Sequence, residues 1–265
     1  MSGIVDLVGT RSAGGSSNGG GPTPLASLLD LLLPRVCLGC GRHGCAWCPD
    51  CVAVGLDPTP HRPDPCPPGL PALTTDASYS GSVRLAILAA KERDRRELDR
   101  ALGAMLAVAV GRLISSGSRL PTGPGPVWLV PVPASPGALR ESGRDHLADW
   151  TRWAVRRLRA AHVEAHRVPA LRRRSGGVDS VGLDADQRAA NLRGVFTMGR
   201  ITPPPGTWVV IVDDVVTTGA TLAAAAGCLS AGLDRETAEL GAAVVGATQR
   251  DRKTGLSLAH RRRTY

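Results

Sequence analysis

The sequence predicts an α/β fold, a largely parallel sheet flanked by helices, with a small Cys-rich segment ahead of it. Three observations carry this. The first is a set of strand-length apolar runs at 127–132, 208–212 and 240–245. They lack polar alternation, as strands buried on both faces do. The second lies between them, where apolar residues recur at helical spacing over 82–90, 98–114 and 146–160. Strands alternating with helices imply parallel pairing through crossovers. The third is that six of the seven cysteines fall between Cys37 and Cys66.

In chain order, residues 1–24 are rich in Gly, Ser, Asn and Pro and read as a disordered leader. They lack the basic start and apolar stretch of a secretory signal, so a cytoplasmic location is expected. Residues 25–33 form a short apolar segment, read as one helix. The stretch from 34 to 71 is rich in Cys, Gly and Pro and cannot bury a core of its own, so it needs a staple. Residues 25–71 are therefore taken as one Cys-rich, zinc-ribbon-like segment. Residues 72–249 form the main α/β domain, and 250–265 a basic tail. Apolar stretches such as 101–110 are too short to span a bilayer, so no membrane insertion is expected. With one Phe, two Tyr and five Trp, the core has to be built from Val, Leu, Ala and Ile.

The formal net charge is +9, and all but two of the 32 basic residues are arginine, the exceptions being Lys91 and Lys253. Two basic clusters stand out, at 152–174 and 250–263. A solvated charged surface accounts for them as well as a polyanion site does.

Residues 208–222 read Trp-Val-Val-Ile-Val-Asp-Asp-Val-Val-Thr-Thr-Gly-Ala-Thr-Leu. A buried strand ends in two carboxylates, Asp213 and Asp214. A turn of small residues follows, then an Ala-rich helix over 221–229. Ligands of open α/β sheets bind at this edge. Val215, Val216, Thr217, Thr218, Gly219, Ala220 and Thr221 suit a phosphate. Gly219 lets the backbone approach closely, the first helical N–H groups carry partial positive charge, and the threonines add hydroxyl donors. No lysine lies in the loop, so it is no Walker A motif. The carboxylates would repel a phosphate but accept hydrogen bonds from sugar hydroxyls. A sugar 5-phosphate satisfies both halves.

Cys37-Leu-Gly-Cys40 and Cys48-Pro-Asp-Cys51 are two C-x-x-C knuckles. Together they can set four thiolates around one structural Zn²⁺. Cys45, Cys66 and His43 are alternative ligands, and a redox role for one C-x-x-C is the rival reading. Cys228 reads as a core residue.

The acidic pair and Thr-Thr-Gly turn resemble the phosphoribosyl-diphosphate (PRPP) motif of type I phosphoribosyltransferases. With the knuckles in front, the chain from about 25 to 248 resembles the competence-associated ComF/GntX family. Further residues carry that resemblance: Leu33-Pro34; Tyr79-Ser80-Gly81-Ser82-Val83-Arg84 with Lys91 beyond; Val130-Pro131-Val132-Pro133-Ala134-Ser135 with Gly143-Arg144; and Gly182-Leu183 with Arg188, Asn191, Gly194 and Phe196. The resemblance implies a type I phosphoribosyltransferase-like sheet. It gives Asp213 and Asp214 the ribose hydroxyls, and residues 215–221 the 5-phosphate. It makes Pro133, Ala134, Ser135, Arg140, Arg144 and Lys91 candidates for the pyrophosphate, which travels with Mg²⁺. Three functions follow as expectations. The first is phosphoribosyl transfer from PRPP to an unidentified acceptor with release of pyrophosphate. The second is non-catalytic handling of single-stranded DNA alongside competence-machinery partners. The third is PRPP sensing.

Overall fold

The computed structural model describes residues 36–116, 125–174, 194–234 and 238–248. The leader, the segment 25–33 read as a helix, Gly182-Leu183, Arg188, Asn191 and the basic tail lie outside the described residues. Among the described residues the elements run α1 (Pro49–Gly55), β1 (Leu56–Pro60), β2 (Ala72–Ser78), α2 (Gly81–Glu92), a 3₁₀ turn (Arg96–Leu98), α3 (Asp99–Ser115), β3 (Val127–Pro131), α4 (Pro136–Ser142), α5 (His146–Ala160), β4 (Ala165–Arg167), β5 (Leu171–Arg173), β6 (Phe196–Met198), β7 (Thr207–Val216), α6 (Ala220–Ser230) and β8 (Ala238–Ala247).

Six strands form one sheet in the order β1-β2-β8-β7-β3-β4. Five of them are parallel, and β1 joins the β2 edge antiparallel. The Cys-rich segment is thus stitched into the same sheet. β5 and β6 make a separate antiparallel ribbon. Among the described residues no helix is long and apolar enough to cross a membrane.

The core is aliphatic, as the composition requires. Val209, Val210, Ile211 and Val212 of β7 are fully enclosed, as are Ala242, Ala243, Val244 and Val245 of β8. α3 packs on β2, β8 and α5. The two helices meet closely at Gly103, where a Cβ would come 2.7 Å from the Trp150 carbonyl oxygen. Only glycine leaves room for that approach.

From β3 the chain moves to β4 on one side. From β7 it moves through α6 to β8 on the other. Right-handed crossovers then put the helices of the two units on opposite faces. Where adjacent strands connect in opposite directions, a crevice opens beyond their carboxyl ends. Here those strands are β3 and β7. They are in register from Val127↔Trp208 to Pro131↔Val212. The Val132 N–H continues the ladder to the Val212 carbonyl at 3.0 Å.

Two differences from the sequence reading matter for the site. The 208–212 run extends to Val216, because β8 keeps pairing with it as far as Val216↔Ala247. Asp213 and Asp214 therefore sit inside the strand's last turn of pairing rather than beyond its end. The stretch after Pro133 is also a helix start: Ser135 caps α4 by accepting the Ala138 N–H at 3.1 Å, with Pro136 next.

Candidate ligand site and metal centre

At the end of β7 the backbone pins its own carboxylates. Asp213 Oδ1 accepts the Asp214 N–H at 2.9 Å, and Asp214 Oδ1 accepts the Val215 N–H at 2.6 Å. Burial pushes the Asp213 carboxyl well above the usual carboxylate range, and the charge of Asp214 adds to this. The other oxygen of Asp214 receives the ammonium of Lys91, from the last turn of α2. Burial alone would depress that ammonium. Asp214 and Asp213 outweigh burial, and the net shift of Lys91 is upward.

In the turn beyond, the Ala220 N–H meets Thr218 Oγ1 at 3.4 Å. Thr217 is exposed, Thr218 half-buried and Gly219 buried. Gly219 adopts the left-handed conformation (φ 76°) and opens α6, whose first intrahelical bond runs from the Ala223 N–H to the Gly219 carbonyl at 2.9 Å. Among the described residues, no backbone acceptor meets the N–H groups of Thr217, Thr218 or Gly219. The first N–H groups of a helix point outward without intrahelical partners. Together these donors can hold an anion.

Pro133, Ala134 and Ser135 lie half-buried at the end of β3, alongside β7. Arg140 is exposed on α4. Lys91 reaches the acidic pair instead of the Pro loop. Arg144, a pyrophosphate candidate in the sequence, is engaged by three carboxylates in this structure. Its Nη1 lies 2.6 Å from Asp99 and 2.8 Å from Asp149, and its Nη2 3.2 Å from Asp99. Its Nε is 2.6 Å from Asp94 but out of line for a hydrogen bond, so that contact is an ion pair only. Next to this cluster, His146 has both ring nitrogens buried without a hydrogen-bond partner among the described residues. Burial, then the neighbouring Arg144 charge, lowers its pKa. The structure therefore brings together Asp213, Asp214, the 215–221 turn, Lys91 and the 133–135 loop, and leaves Arg144 to the scaffold. Sequence reasoning missed the role of Lys91 as counter-ion to Asp214. The two residues are 123 apart in sequence, and no local pattern pairs them.

The four knuckle sulfurs converge. The Sγ atoms of Cys37, Cys40, Cys48 and Cys51 all lie within 4.8 Å of one another. Cys40 and Cys48 are 3.7 Å apart, close to the edge of about 3.8 Å that a tetrahedron with zinc–sulfur bonds of ~2.3 Å would have. All cysteines of the described chain are free thiols. The first knuckle is wound by the bond from the Gly41 N–H to the Cys37 carbonyl at 3.0 Å and the second by that from the Val52 N–H to the Cys48 carbonyl at 3.0 Å; the Cys48 N–H donates across to Cys37 Sγ at 3.2 Å. Burial disfavours the Cys37 thiolate, yet the backbone amides of Cys40, Cys48 and Gly39 bring its thiol down to about 6. Such a set fits a tetrahedral ion such as zinc. Cys45, Cys66 and His43 are not part of it.

The chain matches no protein-family model and no curated protein sequence.

Proposed function

We propose that this chain is a ComF-like member of the type I phosphoribosyltransferase family that binds PRPP with Mg²⁺ at the β3–β7 crevice. One observation carries the reading: the Pro133–Ser135 loop and the Asp213–Thr221 motif emerge side by side from paired strands at the point where the sheet changes direction. One loop is proline-set, the other carries both the carboxylates and the turn amides, and the two then face one ligand.

In this reading, Mg²⁺ arrives as part of the substrate, on the diphosphate. The amides of 217–221 hold the 5-phosphate. Asp213 and Asp214 accept the ribose hydroxyls, which releases Lys91 from Asp214 towards the anionic ligand. The 133–135 loop and the exposed Arg140 supply the pyrophosphate side. Charge developing at the anomeric carbon is stabilised electrostatically as the bond to pyrophosphate breaks. The phosphoribosyl group passes to the acceptor nucleophile. A PRPP sensor would share the binding and lack the release of pyrophosphate.

Calorimetric titration with PRPP and Mg²⁺ tests this. The Asp213→Asn/Asp214→Asn variant is expected to bind at least a hundredfold more weakly, since charge-assisted hydrogen bonds contribute about 1.5–3 kcal/mol each. Equal affinity in a variant with unchanged melting temperature would remove the ribose assignment.

A second reading, single-stranded DNA binding, is favoured by the outer face of α5. Arg152, Arg156 and Arg159 are exposed there. The guanidiniums of Arg156 and Arg100 lie over the half-buried Trp153 ring, 4.8 Å and 5.8 Å from its centre. Arg172 and Arg174 are exposed as well. An aromatic flanked by arginines suits unpaired bases. Binding of an oligo-dT is expected to fall steeply between 50 and 200 mM salt, the range over which phosphate contacts weaken, and to drop further in Arg156→Gln. Salt-independent binding would count against this surface.

A further inference from the structure

The Cys-rich segment reaches the phosphate turn. Its chain leaves the four cysteines through α1 and passes without a gap into β1. The Cys51 carbonyl accepts the Ser82 hydroxyl at 3.0 Å, which ties α1 to the start of α2. β1 then pairs with β2 as far as Pro60↔Thr74, and the His61 N–H continues to the Leu73 carbonyl at 2.9 Å. Residues 61–71 form the connection back to β2, a strap whose apolar side chains lie on Gly219. A Cβ placed on Gly219 would stand 3.2 Å from Pro63 Cγ, 3.2 Å from Leu70 Cδ2 and 3.4 Å from Pro67 Cγ. Pro63 is buried by this contact region, while Thr217 stays exposed. The strap therefore presses on the back of the turn and leaves its front open. It is a brace rather than a plug.

The strap is weakly anchored by its own strand. β1 has five residues, two of them prolines without an N–H, and its register with β2 slips between Leu56 and Thr59. The other anchors on that side are the Ser82–Cys51 bond and the thiol cluster. We infer that an ion held by Cys37, Cys40, Cys48 and Cys51 stiffens the 217–220 turn through the 61–71 strap, so that metal and phosphoryl ligand bind cooperatively. Pre-organising a binding loop raises affinity by sparing the cost of ordering it. The coupling is reciprocal, so ligand must also retain metal. The ligand half of this inference rests on the function proposed above. The bracing half does not.

The experiment uses the full chain under reducing conditions, metal-loaded and chelator-stripped. Amide exchange is read at Ala223, whose N–H closes the first turn of α6 on Gly219, with β8 amides as the internal control. Stripping is expected to speed exchange at Ala223 at least fivefold and to leave β8 unchanged. The Pro63→Ser/Leu70→Ser variant, whose thiols are intact, is expected to show the same acceleration with full metal content. Equal rates at Ala223 in loaded and stripped protein, or equal acceleration of β8, overturn the brace. A variant that keeps the wild-type rate at Ala223 overturns the strap as its route. In the ligand arm, PRPP with Mg²⁺ is expected to slow metal transfer to a chromophoric chelator severalfold. Unchanged transfer despite titrated binding overturns the cooperativity. Failure of PRPP to bind the loaded protein removes the proposed function, and the exchange data still decide the brace.

Discussion

Replacing Arg144 with methionine is expected to lower stability by about 3–5 kcal/mol, the usual cost of breaking a buried charge pair from one side. The guanidinium side chain is 11% exposed and that of Asp99 is 7%. Asp99 opens α3, Asp149 belongs to the first turn of α5, and Arg144 joins the two from the loop between α4 and α5. The Trp150 indole N–H also donates to Asp99 at 2.8 Å. Without the arginine, Asp99 keeps that one donor and a buried negative charge, next to Asp149 and Asp94. Urea denaturation should show a lower midpoint at unchanged slope. Adding Asp99→Asn removes the stranded charge and is expected to recover most of the loss. The double variant should then bind PRPP like the wild type, since Arg144 faces carboxylates instead of the ligand loops. A tenfold drop in its affinity would restore Arg144 as a pyrophosphate ligand.

Asp76 gives the second large effect, in the pH profile. It lies in the middle of β2 at 1% exposure, and neither carboxyl oxygen has a hydrogen-bond partner among the described residues. Burial pushes its carboxyl up to about 7, against a smaller downward pull from Arg112. Its folded value therefore lies above the unfolded one, near 3.8. Between the two, the folded chain holds a proton that the unfolded chain gives up. Stability must fall as pH rises through that window, by as much as about 1.4 kcal/mol per pH unit, and then level off above 7. Asp76→Asn carries no such proton. It is expected to match the wild type near pH 4 and to exceed it at pH 8. Urea midpoints across pH 4–8 that run parallel for the two proteins would show that Asp76 is ionised and compensated in the fold.

What could be read from the sequence was whatever rests on long apolar runs or dense local chemistry. α5 runs over the same residues as its helical pattern, 146–160. β7, β8 and α6 lie where periodicity put them, longer by one to four residues at their ends, and α3 is displaced by one residue. β2 was illegible as a strand. Leu73 is its one large apolar residue, while Thr74, Thr75 and Asp76 are buried. Hydrogen bonds make the threonines tolerable: Thr74 Oγ1 donates across to the Ala109 carbonyl at 2.8 Å, and Thr75 Oγ1 locally to the Ala77 carbonyl at 3.0 Å. α4 was hidden because it buries none of its residues and is held by its cap and by Gly143. The four cysteines and the 213–221 motif were legible because each is local in sequence. The meeting of Lys91 with Asp214, and of Pro63 with Gly219, depends on partners more than a hundred residues apart, and no pattern in either segment announces it.

The sheet's two rims have a bearing on how the molecule behaves in a crowd. On one side stands β1, where Pro58 and Pro60 offer no amide hydrogen. On the other stands β4, three residues long, whose Ala165 carbonyl is already taken by Arg159 at 2.7 Å. A neighbouring chain laid against either rim would find few donors and acceptors in sequence. Among the described residues, strand-by-strand stacking through the backbone is blunted at both rims.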